Sequence, residues 1–234
     1  MAYANGSHAE GINTTASANG SHAEGKLTIA SGYESHAEGY GTIAGTDDSI
    51  VSVHSTAAKQ PGYFTHAEGH ATRAYGHAAH SEGYKTNAAG DYSHAEGVSS
   101  SPHVESIVPT TLATDILNLW TEIVDNNEKF SIAKGEASHV EGKDNLALST
   151  GSHAEGVRTI SSNAASHAEG ADTIASGNRA HAEGDHTKAS APYSHAEGNF
   201  SEALGKASHV EGRETLAIGE SSHAEGEYTV AYGN

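Results

Sequence analysis

The chain has 234 residues, no Cys, 6% aromatic residues and a formal charge of −18 with His neutral. The lack of Cys excludes a disulfide framework and a thiolate metal site, and the charge argues against nucleic acid and anionic membrane as partners. No apolar run approaches a membrane span, so membrane insertion is not expected, and the N-terminus does not read as a signal peptide. Large apolar side chains are scarce while Gly, Ala, Ser and Thr abound. That leaves disorder, or a narrow solenoid whose interior takes only small side chains.

From the N-terminus onward, one pentapeptide recurs. Ser-His-Ala-Glu-Gly occupies Ser7–Gly11, Ser21–Gly25 and Ser35–Gly39, and variants of it continue to the last turn of the sequence. Most neighbouring copies are 14 residues apart, and a fixed period of this kind favours the solenoid over disorder. Small residues vary (Thr65 for Ser, Val140 and Val210 for Ala), while the thirteen His and thirteen Glu do not. Protonating those His alone would move the charge from −18 to −5.

One unit reads Thr28-Ile29-Ala30-Ser31-Gly32-Tyr33-Glu34 and then Ser35-His36-Ala37-Glu38-Gly39-Tyr40-Gly41. It divides into two halves of the form Ser/Thr, any, Ala, any, Gly, and two loose positions. A helical heptad is a poor reading, because Gly at every seventh place costs ~1 kcal/mol relative to Ala. Alternation with period two points to strands. Each half is expected to be a five-residue strand ending at a Gly turn, and stacked coils make an all-β, two-faced parallel β-roll. Ser/Thr and Ala point inward, and Gly supplies positive φ at the corners. One outer face carries His and Glu in every coil. The other carries mixed residues such as Ile29/Ser31, Arg73/Tyr75, Ile174/Ser176, Lys188/Ser190 and Val230/Tyr232, and is expected to be solvent-exposed.

Two intervals break the period. Between His36 and His66 a degenerate coil is expected over 46–64, with Ser49–Val53 and Thr56–Gln60 as its strands and Ile50 in the His column. Gln60-Pro61-Gly62-Tyr63 then forms an enlarged corner. Between His94 and His139, residues 99–130 read as an inserted amphipathic helix near Leu112–Asp125. Leu112, Ile116, Leu119 and Ile123 recur at helical spacing beside Trp120 and Val124, Thr110 or Thr111 caps the start, and Asn126-Asn127 ends it. Its apolar side is expected to pack on the roll or a neighbouring chain. The organisation is thus roll at 1–98, insertion at 99–130 and roll at 131–234. Counting Ile50 as a fourteenth register position gives a rod of roughly 67 Å at ~4.8 Å per coil. Ala2–Gly6 matches the middle of a coil at Ala16–Gly20, so the array is expected to continue beyond these residues.

The chemistry-bearing residues are His8 and Glu10, His22 and Glu24, His36 and Glu38, His66 and Glu68, His80 and Glu82, His94 and Glu96, His139 and Glu141, His153 and Glu155, His167 and Glu169, His181 and Glu183, His195 and Glu197, His209 and Glu211, and His223 and Glu225. General acid–base catalysis needs one tuned, enclosed copy. Thirteen equivalent copies argue against an enzyme, and no cofactor is expected. Imidazole and carboxylate are plausible metal ligands, and a stacked column would hold many ions rather than one. That reading ranks behind a polar subunit interface, so no metal site is assigned. Bare Glu at ~4.8 Å spacing would repel by roughly 3–4 kcal/mol per neighbour at an effective dielectric near 20. A His column offers the remedy, because each imidazole can donate to a carboxylate of a neighbouring chain. Such pairs specify register and partner more than they add stability. Ice binding through a Thr ladder is disfavoured because those Thr point inward.

The pattern Ser-x-Ala-x-Gly-x-x-Thr-x-Ala-x-Gly resembles the 14-residue repeat of trimeric autotransporter adhesin heads. The resemblance implies a left-handed parallel β-roll and a homotrimer, with His and Glu where that family has the Val and Ile of the trimer contact. The Ser-His-Ala-Glu-Gly variant also resembles repeats of phage and prophage tail-fibre proteins. The leading expectation is therefore a non-enzymatic segment of a virion tail fibre, a structural rod displaying loops to a host cell-surface receptor. The head of a bacterial surface adhesin is the alternative, and the location is extracellular in both.

Overall fold

The computed structural model describes residues 1–45, 62–99 and 131–233. Each 14-residue unit makes one coil, consisting of a longer strand, a tight corner, a shorter strand and a second corner. The longer strands run from His8–Ile12 to His223–Glu227 and form one 13-stranded parallel sheet. The shorter ones run from Thr15–Ala16 to Val230–Ala231 and form a second sheet of the same size. Register is strict, with His167 opposite His181, Ala168 opposite Ala182 and Glu169 opposite Glu183. An all-β parallel solenoid of about 14-residue coils is what the period required.

The strand bounds differ from expectation. The longer strand starts at the His and passes through the Gly, as in His36–Tyr40, so that Gly is not its end. The shorter strand has two or three residues, as in Ile29–Ala30, rather than five. It stops early because the corner takes over its hydrogen bonds: Ser31 and Gly32 both donate to the Ala44 carbonyl, at 2.8 and 3.4 Å.

Small residues do point inward. Ser21, Ala23, Thr28 and Ala30 are all fully buried, and the core is a line of Ala on Ala with Val140 and Val210 as its bulkiest long-strand members. The leading Ser has a task that its size alone does not reveal. Ser35 Oγ donates to the Gly32 carbonyl at 2.7 Å, and Ser208 Oγ to the Gly205 carbonyl at 2.6 Å. Each hydroxyl thus closes the corner before its own strand, adding a second donor to a carbonyl that already accepts the backbone N–H of the same Ser at 3.3 or 3.1 Å.

Two kinds of glycine must be separated. Gly25 has φ 107°, and a Cβ there would lie 2.2 Å from the Gly39 carbonyl oxygen. Gly32 has no positive φ, yet a Cβ would lie 1.9 Å from the Gly62 carbonyl oxygen. It is needed for close approach, which corrects the expectation that both Gly positions serve positive φ. The left-handed residue of that corner lies two places later, at Glu34, Ala165 or Ala207 (φ 52°, 52° and 54°). The opposite corner repeats this at Leu27 (φ 61°). Left-handed geometry costs an L-residue about 1–2 kcal/mol. The interstrand hydrogen bonds and Ala packing must outweigh that cost in nearly every coil. Where Ala18 or Ser149 takes the first glycine's place, Gly20 or Gly151 occupies the left-handed one, at φ 68° and 63°.

The first irregular interval corrects the sequence reading. His36 pairs directly with His66, and Ile43 with Arg73. No coil intervenes, and Gly45 and Gly62 are consecutive places of one corner. The degenerate coil expected over 46–64, with Ile50 in the His column, falls on residues 46–61, which lie outside the described residues. The direct pairing keeps His on His and Glu on Glu, which an Ile50 strand would interrupt. Thirteen coils rather than fourteen give a rod of roughly 62 Å. At the second interval, Ser131–Ala133 pairs with both Thr86–Ala88 and Leu146–Ala147, and Ser99, expected in the insertion, is bonded into the roll through the Tyr84 carbonyl. Residues 100–130 are thus inserted at the opposite corner, between Ser99 and Ser131. The expected helix, with Leu112, Ile116, Leu119, Trp120 and Ile123, lies outside the described residues, as does Ile50.

The short-strand face is only partly exposed. Ile132, Leu146, Ile160 and Ile174 occupy its outward column in consecutive coils and are 6%, 0%, 1% and 5% exposed. The expectation of a wholly solvated face is corrected there.

Joining Gly45 to Gly62 and Ser99 to Ser131 should give an uninterrupted roll with an undiminished β-sheet circular dichroism signal; loss of that signal would show that the inserted residues hold the coils together. Ala165→Gly and Ala207→Gly, which relieve left-handed strain, should each stabilise by about 0.5–1 kcal/mol in denaturant melts. Gly170→Ala, with φ 102° and its Cβ at 2.1 Å from the Gly184 oxygen, should cost about 3 kcal/mol or more.

Candidate functional site: a stacked histidine and glutamate column

Strand alternation places His and the Glu two residues later on the outward side of the longer strand. In-register stacking then turns each into a column. From His22 to His223 neighbouring imidazoles lie 4.6–5.0 Å apart, centre to centre, with planes within 1–9° of parallel. Only the first pair, His8 and His22, is edge-on, at 88°. All thirteen sequence-predicted pairs are therefore brought into one line along one sheet.

Most Nε2 atoms lie near the carboxylate of their own coil, and those of His80 and His94 also near that of the preceding coil. His167 Nε2 lies 3.4 Å from Glu169 Oε2, and His66 Nε2 4.0 Å from Glu68 Oε2, which bound the same-coil distances. His94 lies between Glu82 of the coil below, at 3.7 Å, and its own Glu96, at 3.8 Å. These distances exceed an ordinary N–H···O hydrogen bond of about 2.7–3.2 Å. Eleven Nε2 atoms, from His22 to His209, are hidden from solvent without a hydrogen-bond partner. Within one chain, the His and Glu are therefore in electrostatic proximity rather than hydrogen-bonded.

The electrostatics favour neutral imidazole. His139, His153, His167 and His209 are held below the ordinary His value, first by burial and then by the neighbouring imidazoles, with nearby Glu opposing the shift. A proton on one ring disfavours a proton on the next, at a separation of one coil.

The sequence reading treated the corner positions as loose, and the structure shows that they too form columns at 14-residue spacing. Arg158 makes a bidentate ion pair with Asp172, and His186 sits between Asp172 at 3.8 Å and Asp185 at 2.7 Å, its ring stacked on Phe200. Further along the rod, Lys206 reaches Glu220 and Arg213 reaches Glu227, both at 3.1 Å. On the same edge Tyr40, His70 and Tyr84 form an exposed aromatic stack at 4.8–4.9 Å. Adding 14 to a corner residue would have revealed most of these partners; Tyr40 and His70, 30 residues apart across the first irregular interval, are an exception. The inward Thr28 and Thr42 are fully buried, which removes the regular Thr array that ice binding would need.

The lowered His values set a pH dependence. Unfolded His titrates near 6.5, and folded His139, His153, His167 and His209 resist protonation. Their contribution is present above 6.5 and is lost as pH falls through the lower folded values. With a chelator present, the melting temperature should therefore be highest at pH 7 and above and fall between pH 6.5 and 5. A maximum on the acidic side would mean a charged ladder instead.

Comparison with known proteins came from two directions. No curated protein matches the chain. The YadA head domain repeat matches residues 23–44, 168–187 and 211–234, stretches that span both ends of the array. The match is to a non-enzymatic structural repeat, and it favours the adhesin-head alternative over the tail fibre, which no comparison supports. Through these stretches the chain is similar to the β-solenoid head repeats of trimeric autotransporter adhesins.

Proposed function

We propose that this chain is a rod segment of the head of a trimeric adhesin on the bacterial cell surface. Three copies pack with their His/Glu sheets toward one another, and the corners and insertions face outward to a host cell-surface receptor. The observation that carries this reading is the head-repeat match, distributed along an array whose longer-strand face is the same in every coil. That face is polar throughout, so it gives an interface selected by register and hydrogen bonding rather than by apolar burial. Interior ladder side chains such as His66 and Glu68 retain 37% and 31% exposure in the single chain, enough to meet a partner. The left-handed roll implied by the resemblance belongs to the same reading.

Light scattering tests the assembly. The expected mass is three times the 24.0 kDa chain, and a stable monomer at micromolar concentration would reject the proposal. Glu169→Arg with Glu183→Arg should lower the mass to that of one chain while circular dichroism is unchanged. Lys188→Glu on the opposite sheet should leave the trimer intact. The reverse pattern would place the subunit contact on the short-strand face.

A further inference from the structure

We infer that the His/Glu column is a linear array of transition-metal sites, each built from the His and Glu of one coil and the His of the next, with ions in alternate coils. Groups of this composition recur from His153 to His209, among them His153, Glu155 and His167, then His167, Glu169 and His181, then His181, Glu183 and His195, while Glu24, His36 and Glu38 form a group with two carboxylates. Within each group one ligand atom per residue lies within 4.8 Å of the others. The inference concerns the single chain and does not depend on trimer formation.

Three observations point to an ion rather than to hydrogen bonding within the chain. First, the same-coil Nε2···Oε2 distances of 3.4–4.0 Å are too long for a hydrogen bond. They approach the separation of two ligands on a tetrahedral ion, about 3.3 Å for bonds near 2.0 Å. Second, eleven Nε2 atoms are buried without a partner. A buried nitrogen that cannot reach a donor or acceptor calls for an unseen ligand, and a repeated orphan calls for a repeated one. Third, the donor set is mixed imidazole and carboxylate, as in three-ligand zinc sites, which keep a fourth position for water. Neutral imidazole is the ligand form.

The geometry also limits the number of ions. The two Nε2 atoms of one site lie up to 4.8 Å apart, so binding draws them together by as much as about 1.5 Å to reach the tetrahedral ligand spacing. The rings can swing, because the side chains of His153 and His167 are 32% and 34% exposed. A ring that swings toward the coil above leaves the coil below. Each Nε2 also has one lone pair to give. Sites that share a histidine therefore exclude one another, and thirteen histidines hold at most six ions per chain. Occupied sites stand two coils apart, about 9.6 Å, which also separates their charges. The non-motif His70, His77 and His186 stand at corners outside this column.

The probe is Zn²⁺, titrated calorimetrically into chelator-stripped full-length chain at pH 7.5, with Co²⁺ as the spectroscopic reporter. The expected result is saturable binding of up to six ions per chain and the intense visible absorption of four-coordinate Co²⁺. Replacing Glu155, Glu169, Glu183 and Glu197 together by Gln should remove about two ions, with the β-sheet signal unchanged. If that variant loses its fold, His181→Gln alone serves, and it should weaken zinc binding and reduce the four-coordinate Co²⁺ signal. No saturable binding at micromolar zinc would overturn the inference. So would one ion per histidine, a weak six-coordinate Co²⁺ spectrum, or titrations that neither variant alters. Light scattering of the metal-free chain reports on the trimer separately, so failure of one reading is distinguishable from failure of the other.

Discussion

The close approach of one coil's backbone to the next is the constraint on which the rest depends. At Gly25 and nearly all its equivalents an added Cβ would lie about 2 Å from a carbonyl oxygen of the following coil. Glycine at these places lets the backbone stack at strand spacing, and the stack has one register because each coil has the same length. The interior is narrow in consequence, and Ala, Ser and Thr are the side chains that fit. A wider core would separate the sheets and break the corner bonds of residues such as Ser35.

Translation along the rod then converts single residues into lines. A His at one place becomes a parallel stack, a Glu becomes a carboxylate row, and an apolar residue becomes a stripe such as Ile132, Leu146, Ile160 and Ile174. Such a line has properties that no single member has. The protonation of one imidazole is opposed by the next, and two rings converging on one ion leave their other neighbours. These couplings follow from the spacing of one coil and need no special residue.

The same translation lets the corners vary while the sheets stay constant. Corner residues may differ freely as long as they meet compatible residues one coil away, as Arg158 meets Asp172 and Lys206 meets Glu220. Both insertions also sit at corners, where the added chain leaves the pairing of adjacent strands undisturbed. A rod with a repetitive spine and individual edges suits a protein that must assemble along one face and be recognised along another.

The repeat was sufficient to determine the parallel two-sheet roll, the inward Ser, Thr and Ala, and the outward His and Glu, because a period of 14 with internal alternation leaves few other solutions. The tertiary structure decided what depends on distances between coils. It placed Gly45 beside Gly62, since direct pairing of His36 with His66 preserves every column, a pairing across 30 residues that the local pattern could not reveal. It assigned positive φ to Glu34 and Ala165 rather than to Gly32, because the corner's shape is set by the bonds it makes to the next coil. It also set the Nε2 atoms just beyond hydrogen-bond reach of the carboxylates, a matter of tenths of an ångström that residue spacing along a chain cannot encode.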